Sequence, residues 1–201
     1  YGSRFVKTPA FDRLAREGAL FANAFVSTPS CGPSRGAALT GQDFYRLGPA
    51  SMNHTEWQRG AETYPDLLAR AGYHTGFTGK AWGPGNWKIT GRTHNPAGPE
   101  YNDKKLTHPG PGISNIDYAS NFAAFLEKRP AGSPFCFWAG FLEPHRVFDE
   151  GIGARHGKMP EHVDVPAFFP DAAEVRNDLA DYAFEIEHLD AHPARILQRL
   201  E

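Results

Sequence analysis

Four side chains in this sequence are of types that can do chemistry: Cys31, Arg35, Lys80 and His145. Cys31 opens Cys31-Gly32-Pro33-Ser34-Arg35, and Leu39-Thr40-Gly41 follows closely. Pro33 and Ser34 suit the first turn of a helix, where a missing N–H costs nothing and free backbone donors favour an anion. In such a helix Arg35 stands one turn beyond Cys31, and its planar cationic fork can orient a nucleophile there and favour its ionised form. Lys80 closes Thr78-Gly79-Lys80 and puts a point cation at a predicted strand end. That is a sensible anion ligand, although most lysines are solvated surface groups. His145, in Glu143-Pro144-His145-Arg146, follows an apolar run and can protonate a departing alkoxide or amine near neutral pH. Bland alternatives stand beside each of these: a turn histidine can merely satisfy a loop carbonyl, and a lone cysteine is usually a small buried hydrophobe.

The residue pattern predicts the elements that would position these groups. Phe11 to Glu17 has helical spacing and ends at Gly18, which suits a left-handed cap. Ala19 to Val26 alternates enough to predict a strand, so Cys31 falls in the turn and helix after it, where open α/β sheets place their sites. Tyr64 to Ala71 predicts a short helix closed by Gly72, and Tyr73 to Thr78 a strand that delivers Lys80. From Trp82 to Gly112 the chain is crowded with Gly, Pro, Asn and Thr, so residues 83–112 are expected to form a long irregular surface loop facing substrate. Asn115 to Lys128 predicts a helix packed on a sheet. The strand Phe135 to Phe141 follows, with Cys136 expected to be buried in it, and leads to His145. Val175 to Leu200 is helical in pattern, with Pro193 expected to break or restart it and Asp190 to cap the second piece. Helices alternating with strands predict a layered α/β fold.

With 201 residues, 40% of them hydrophobic, and a net charge of -2, the chain can bury a real core. The charge gives no electrostatic case for nucleic acid or a membrane surface as partner. No run is long enough for a membrane span and no secretion signal is visible, although the sequence begins inside what reads as a folded element. Two cysteines make no disulfide framework.

The Cys31 motif does not stand alone. Together with Lys7-Thr8-Pro9-Ala10-Phe11-Asp12-Arg13-Leu14-Ala15-Arg16-Glu17-Gly18, Phe21-Ala22-Asn23-Ala24-Phe25 and Thr40-Gly41, it resembles the active-site entry of the type I, formylglycine-dependent sulfatases. The resemblance covers nearly the whole chain and implies an alkaline-phosphatase-like layered α/β sandwich with a mostly parallel central sheet, incomplete here. Residues 1–201 would be a partial N-terminal catalytic domain, an internal fragment of the enzyme. It further implies that Cys31 is oxidised to formylglycine by a formylglycine-generating enzyme. The hydrated aldehyde carries two hydroxyls, one to attack sulfur and one to help expel the sulfate afterwards. Arg35 would support the hydrate and the metal, Lys80 would bind substrate sulfate, and His145 would meet the sulfate or its leaving oxygen.

Two positions depart from the family pattern. Many sulfatases carry a histidine two residues beyond the lysine, able to bond the hydrate, where this chain has Trp82; His54 and His74 are candidate replacements. Relatives also often carry a histidine at the position of Leu142. The family binds a divalent cation, usually calcium, through an Asp-Asp pair, an Asp-Asn pair and the formylglycine oxygen at the position of Cys31. Neither pair stands in this chain where expected; Asp12 is a weak candidate and Asp190 reads as a helix residue. The segment alone is therefore expected to bind metal poorly and to have little activity. Phe141 to Arg146, Asp164 to Asp171 and Arg176 to Tyr182 are most similar to sulfamidase-like members. The resemblance thus implies a sulfated carbohydrate or other sulfate ester or sulfamate as substrate, and a periplasmic, secreted or lysosomal setting for the full-length protein. Two alternatives remain: a phosphonate or phosphate ester hydrolase on the same scaffold, or a non-catalytic scaffold protein, the latter motivated by Trp82 and Leu142.

Overall fold

A computed structural model describes residues 3–107 and 110–201, so His108 and Pro109 of the predicted loop lie outside the described residues. The helices are α1 (Pro9–Glu17), α2 (Cys31–Thr40), α3 (Tyr64–Arg70), α4 (Tyr118–Glu127), α5 (Ile152–Arg155) and α6 (Ala173–Leu197). The strands are β1 (Thr55–Glu56), β2 (His74–Gly79), β3 (Gly85–Asn86) and β4 (Phe135–Gly140). The chain divides into two compact units, one of Phe21–Lys104 with Ser120–Phe141, the other of the residues up to Leu20 with Lys105–Ala119 and Leu142–Glu201. No helix among the described residues is long and apolar enough to cross a membrane.

The first unit carries all the named strands, and every pairing is parallel. β2 and β4 run in register from His74 opposite Phe135 to Gly79 opposite Gly140, and β1 pairs with β3. Parallel neighbours need a crossover, which the segment containing α4 supplies between β2 and β4. α3 starts where Thr63 and Asp66 cap reciprocally: Asp66 N–H donates to Thr63 Oγ1, and the Asp66 carboxylate accepts the Thr63 N–H at 3.0 Å. Its direction feeds β2, whose interior Thr75 to Thr78 is buried. The core gathers Leu39, Leu47, Ala50, Trp57, Phe77, Ala81, Trp82 and Ala97. Phe122 and Phe125 pack separately against Phe135 and Phe137 of β4. Within 83–112 the chain is not wholly irregular or superficial: it pairs at β3, makes isolated bridges at Asn95, Gly98, Glu100 and Lys105, and buries Pro96, Ala97 and Gly98.

Several sequence expectations give way here. Ala19 to Val26 forms no strand; Phe21 and Phe25 are 77% and 93% exposed. Alternation specifies a strand only where a ladder partner completes it, and no described residue pairs with this segment. Gly18 has φ -115°, so it is not a left-handed cap; its N–H closes α1 by donating to the Leu14 carbonyl. Cys136 is half-buried rather than buried, because β4 hydrogen-bonds to β2 alone among the described residues.

In the second unit α6 packs against α1 and α5. α6 runs unbroken through Pro193, which is buried. The ring denies the Leu189 carbonyl its usual partner, and packing of a long buried face outweighs that loss. Asp190 does not cap a restarted helix. It caps α1 instead: its two carboxylate oxygens accept the Ala10 and Phe11 N–H groups, each at 2.9 Å. Thr8, at the N-cap of α1, makes no side-chain cap bond, so a residue far along the chain supplies it.

The same α6 face buries Glu185 completely. Burial above all, then the carboxylates of Glu143 and Asp181, push its carboxyl up to about 7. A carboxyl whose folded-state pKa is raised favours folding in its protonated form, so the native state loses stability as pH climbs from the ordinary value of 4.5 towards about 7. Glu185→Gln is therefore expected to raise the unfolding free energy at pH 8 by about 3 kcal/mol, with most of the gain gone at pH 5. Urea unfolding at the two pH values checks this; an equal effect at both would mean that the ionised carboxylate is not what costs stability.

Candidate active site

Cys31 is the first residue of α2 and is half-buried. Ser30 before it is extended, with φ -108° and ψ 135°, and makes no side-chain cap bond. The cap comes from Asn53, which lies ahead of β1. Its Oδ1 accepts the Gly32 N–H at 2.9 Å and sits 3.6 Å from Cys31 Sγ, while its Nδ2 donates to Ser30 Oγ at 2.8 Å. A side chain at position 32 would place its Cβ 2.5 Å from that Oδ1, so the approach requires glycine there. One turn on, Arg35 Nη1 donates to the carbonyls of Cys31 at 3.3 Å and Gly83 at 3.2 Å. Both contacts hold the guanidinium over the start of α2.

Lys80 arrives from β2 through Gly79, whose φ of 75° turns the chain as the strand ends. The Lys80 backbone is fixed on both sides: its N–H donates to the Gly140 carbonyl at 2.6 Å and its carbonyl accepts Trp138 Nε1 at 3.1 Å. Asn102 holds the strand end as well, its Oδ1 accepting the Gly79 N–H at 2.6 Å. Partial burial lowers the Lys80 ammonium below its ordinary pKa, the charge of Arg35 lowers it further, and Cys31 opposes the shift. Lys80 is thus within electrostatic reach of both. Cys31, Arg35 and Lys80 lie in one unit, where two cations, Arg35 held through its guanidinium and Lys80 on a pinned backbone, are suited to receive an anion.

His145 belongs to the other unit, on a turn after β4. Its ring is exposed, with Nδ1 against the Arg146 carbonyl. The turn is set by the buried carboxylate of Glu143, which accepts Tyr118 Oη–H at 2.9 Å and the Ser114 N–H at 2.8 Å. Leu142 takes part through its backbone, donating its N–H to Tyr118 Oη at 3.1 Å.

Trp82 is a core residue. Its indole meets Trp57 edge-on at 5.0 Å between ring centroids and packs beside Gly36 and Leu47. Asn95 satisfies its backbone, accepting the N–H at 3.1 Å and donating to the carbonyl at 2.9 Å. Of the candidate replacements, His74 is at the other end of β2 from Lys80, stacked on Phe125 with Nε2 at 3.1 Å from the Phe125 carbonyl. His54 is exposed and has φ 60°. Asn53 is the residue that sequence reasoning missed; it lies outside the motif, and only folding brings it to Cys31. Asp12 is exposed on α1 and Asp190 is committed to capping. Among the described residues no group of three or more His, Cys, Asp or Glu side chains could hold a metal ion.

Comparison with known proteins finds likenesses of sequence and of fold. The family described as Sulfatase matches residues 1–201. An N-acetylglucosamine-6-O-sulfatase of Bacteroides thetaiotaomicron is 30% identical over 192 residues, covering 89% of this chain and 32% of its own length. The human N-sulphoglucosamine sulphohydrolase is 29% identical across 100% of this chain and 43% of its own. The chain therefore spans less than half the length of these curated relatives. Among solved structures, the phosphonate monoester hydrolase of Agrobacterium radiobacter superposes with a TM-score of 0.67 over 99% of this chain and 55% of that one, at 17% identity, a likeness of fold.

Proposed function

The chain belongs to the sulfatase family, and from that premise we propose that the full-length protein hydrolyses sulfate esters or sulfamates with an aldehyde made from Cys31. The observation that carries the reading is the Arg35 guanidinium folded back over Cys31 at the start of α2, with Lys80 in the same unit and its ammonium sensing the charge of both. Water adds to the aldehyde and leaves two hydroxyls on one carbon. One hydroxyl gives its proton to solvent, and its oxygen bonds to sulfur as the bond from sulfur to the leaving oxygen or nitrogen breaks, the leaving atom taking a proton from water. The remaining hydroxyl then gives up its proton, the C=O bond reforms, and the carbon–oxygen bond to sulfate breaks. Inorganic sulfate departs and the aldehyde is restored. Lys80 neutralises the sulfate oxygens, and Arg35 favours the ionised hydroxyl. The family's divalent cation supplies charge neutralisation where it is bound; the described residues do not by themselves make a cation site, so no step above runs through it.

Sulfated glycans are the substrate class that fits best, since the relatives from Bacteroides and human are named for sulfated glucosamines. The likeness to a phosphonate monoester hydrolase supports a second reading, phosphonate ester hydrolysis by the same aldehyde. One experiment separates them: the full-length protein, made in a host with formylglycine-generating activity, is assayed with an aryl sulfate and an aryl phosphonate, and its Cys31 peptide is weighed by mass spectrometry. An aldehyde with preferential sulfate release supports the proposal. Preferential phosphonate turnover selects the second reading, and an unmodified thiol without turnover selects a non-catalytic role.

A further inference from the structure

We infer that Asn53 is a further catalytic residue, whose side-chain oxygen holds one hydroxyl of the Cys31-derived hydrate so that the other is the one that attacks. The inference rests on the aldehyde reading above. Its basis is the polarity of the contact. The Gly32 amide can only donate, and it lies 2.9 Å from Asn53 Oδ1, so the atom of the amide group that faces Cys31 is the oxygen. The Nδ2 end is occupied, donating to Ser30 Oγ at 2.8 Å, which fixes the same orientation from the other side. The backbone beside it is also held: His54 adopts φ 60° and its N–H donates to the Pro84 carbonyl at 2.8 Å. A pure acceptor therefore stands 3.6 Å from the atom of Cys31 that modification replaces with oxygen.

Two equivalent hydroxyls on one carbon pose a problem of assignment, because either could attack. An acceptor on one side resolves it. The hydroxyl that donates to Asn53 keeps its proton and is turned away from sulfur, ready to lose that proton in the release step. Its twin lies towards the cationic side, where Arg35 favours ionisation. Trp82, at the position where many family members carry a histidine able to bond the hydrate, is buried in the core and cannot serve. Asn53 reaches the same group from a different segment.

The test uses the full-length protein as wild type, Asn53→Ala, Asn53→Asp and Gly32→Ala. The aldehyde fraction at position 31 is measured by mass spectrometry, and kcat/KM for an aryl sulfate is determined per aldehyde-bearing molecule across pH. Losing one hydrogen bond to an ionisable group predicts about a 10–100-fold fall in kcat/KM for Asn53→Ala. Gly32→Ala, whose Cβ would displace the amide oxygen, is expected to fall similarly and covers the case in which Asn53→Ala does not fold. Asn53→Asp keeps an acceptor for Gly32 N–H but adds a negative charge, so the acidic limb of its kcat/KM profile moves to higher pH. A residue that only caps α2 would not move that limb. Turnover within threefold of wild type for Asn53→Ala with an unmoved limb for Asn53→Asp overturns the inference and leaves the aldehyde reading intact. A wild type without aldehyde or sulfate release overturns both.

Discussion

Cys31→Ala in the full-length protein is expected to lower sulfate release by about 10⁴-fold or more while leaving the fold intact. In the proposed mechanism the kinetic effect is large because the substitution removes the atom that would bond to sulfur; any binding by Lys80 and Arg35 would survive but have nothing to act with. The structural effect is small because the Cys31 side chain is half-buried and, among the described residues, its Sγ comes within hydrogen-bonding range of Asn53 Oδ1 alone. The Gly32 N–H keeps its bond to that oxygen when the thiol is gone. Turnover and thermal unfolding measured together check both halves. Normal turnover in Cys31→Ala would remove the nucleophile from position 31. Cys31→Ser refines the result: a serine hydroxyl can take the sulfuryl group but has no second hydroxyl to expel it, so the variant should stop as a sulfated serine, visible as added mass on the Cys31 peptide.

Lys80→Ala is expected to lower kcat/KM by about 10²–10³-fold, the scale of losing one fixed electrostatic contact to a developing anion. The backbone at position 80 is pinned by Gly140 and Trp138, so the variant should lose the ammonium without losing the turn that carried it. Lys80→Arg should recover little, since a flat fork does not occupy the place of a compact ammonium. Steady-state kinetics on an aryl sulfate give the answer, and an unchanged kcat/KM would take Lys80 out of the site.

What the sequence disclosed and what it withheld divide along a physical line. α3 and β2 are written locally, in the Thr63 and Asp66 capping pair and a short strand around Phe77 ended by Gly79, and Lys80 follows from them. The start of α2 is signalled locally by Pro33 in its first turn, although the cap that completes it comes from Asn53. Asp190 looked like a cap for its own helix because the eye reads neighbours; the N–H groups it caps belong to Ala10 and Phe11. Pro193 looked like a break because its local cost is visible and the packing that outweighs it is not. Asn53 carried no signal at all, since its significance exists only once Gly32 is beside it. The segment from Ala19 to Val26 erred in the other direction: its alternation is genuine, and the partner that would make it a strand is missing from the described residues.

That segment and β4 together have a practical consequence. Phe21, Phe25 and Val26 stand in solvent in the same unit as a strand with one unoccupied hydrogen-bonding edge. An edge left bare among the described residues, together with exposed aromatic side chains elsewhere in the unit, favours sticking to other chains. In the test tube, residues 1–201 on their own should be sparingly soluble and prone to self-association, with the onset set by protein concentration rather than by heat.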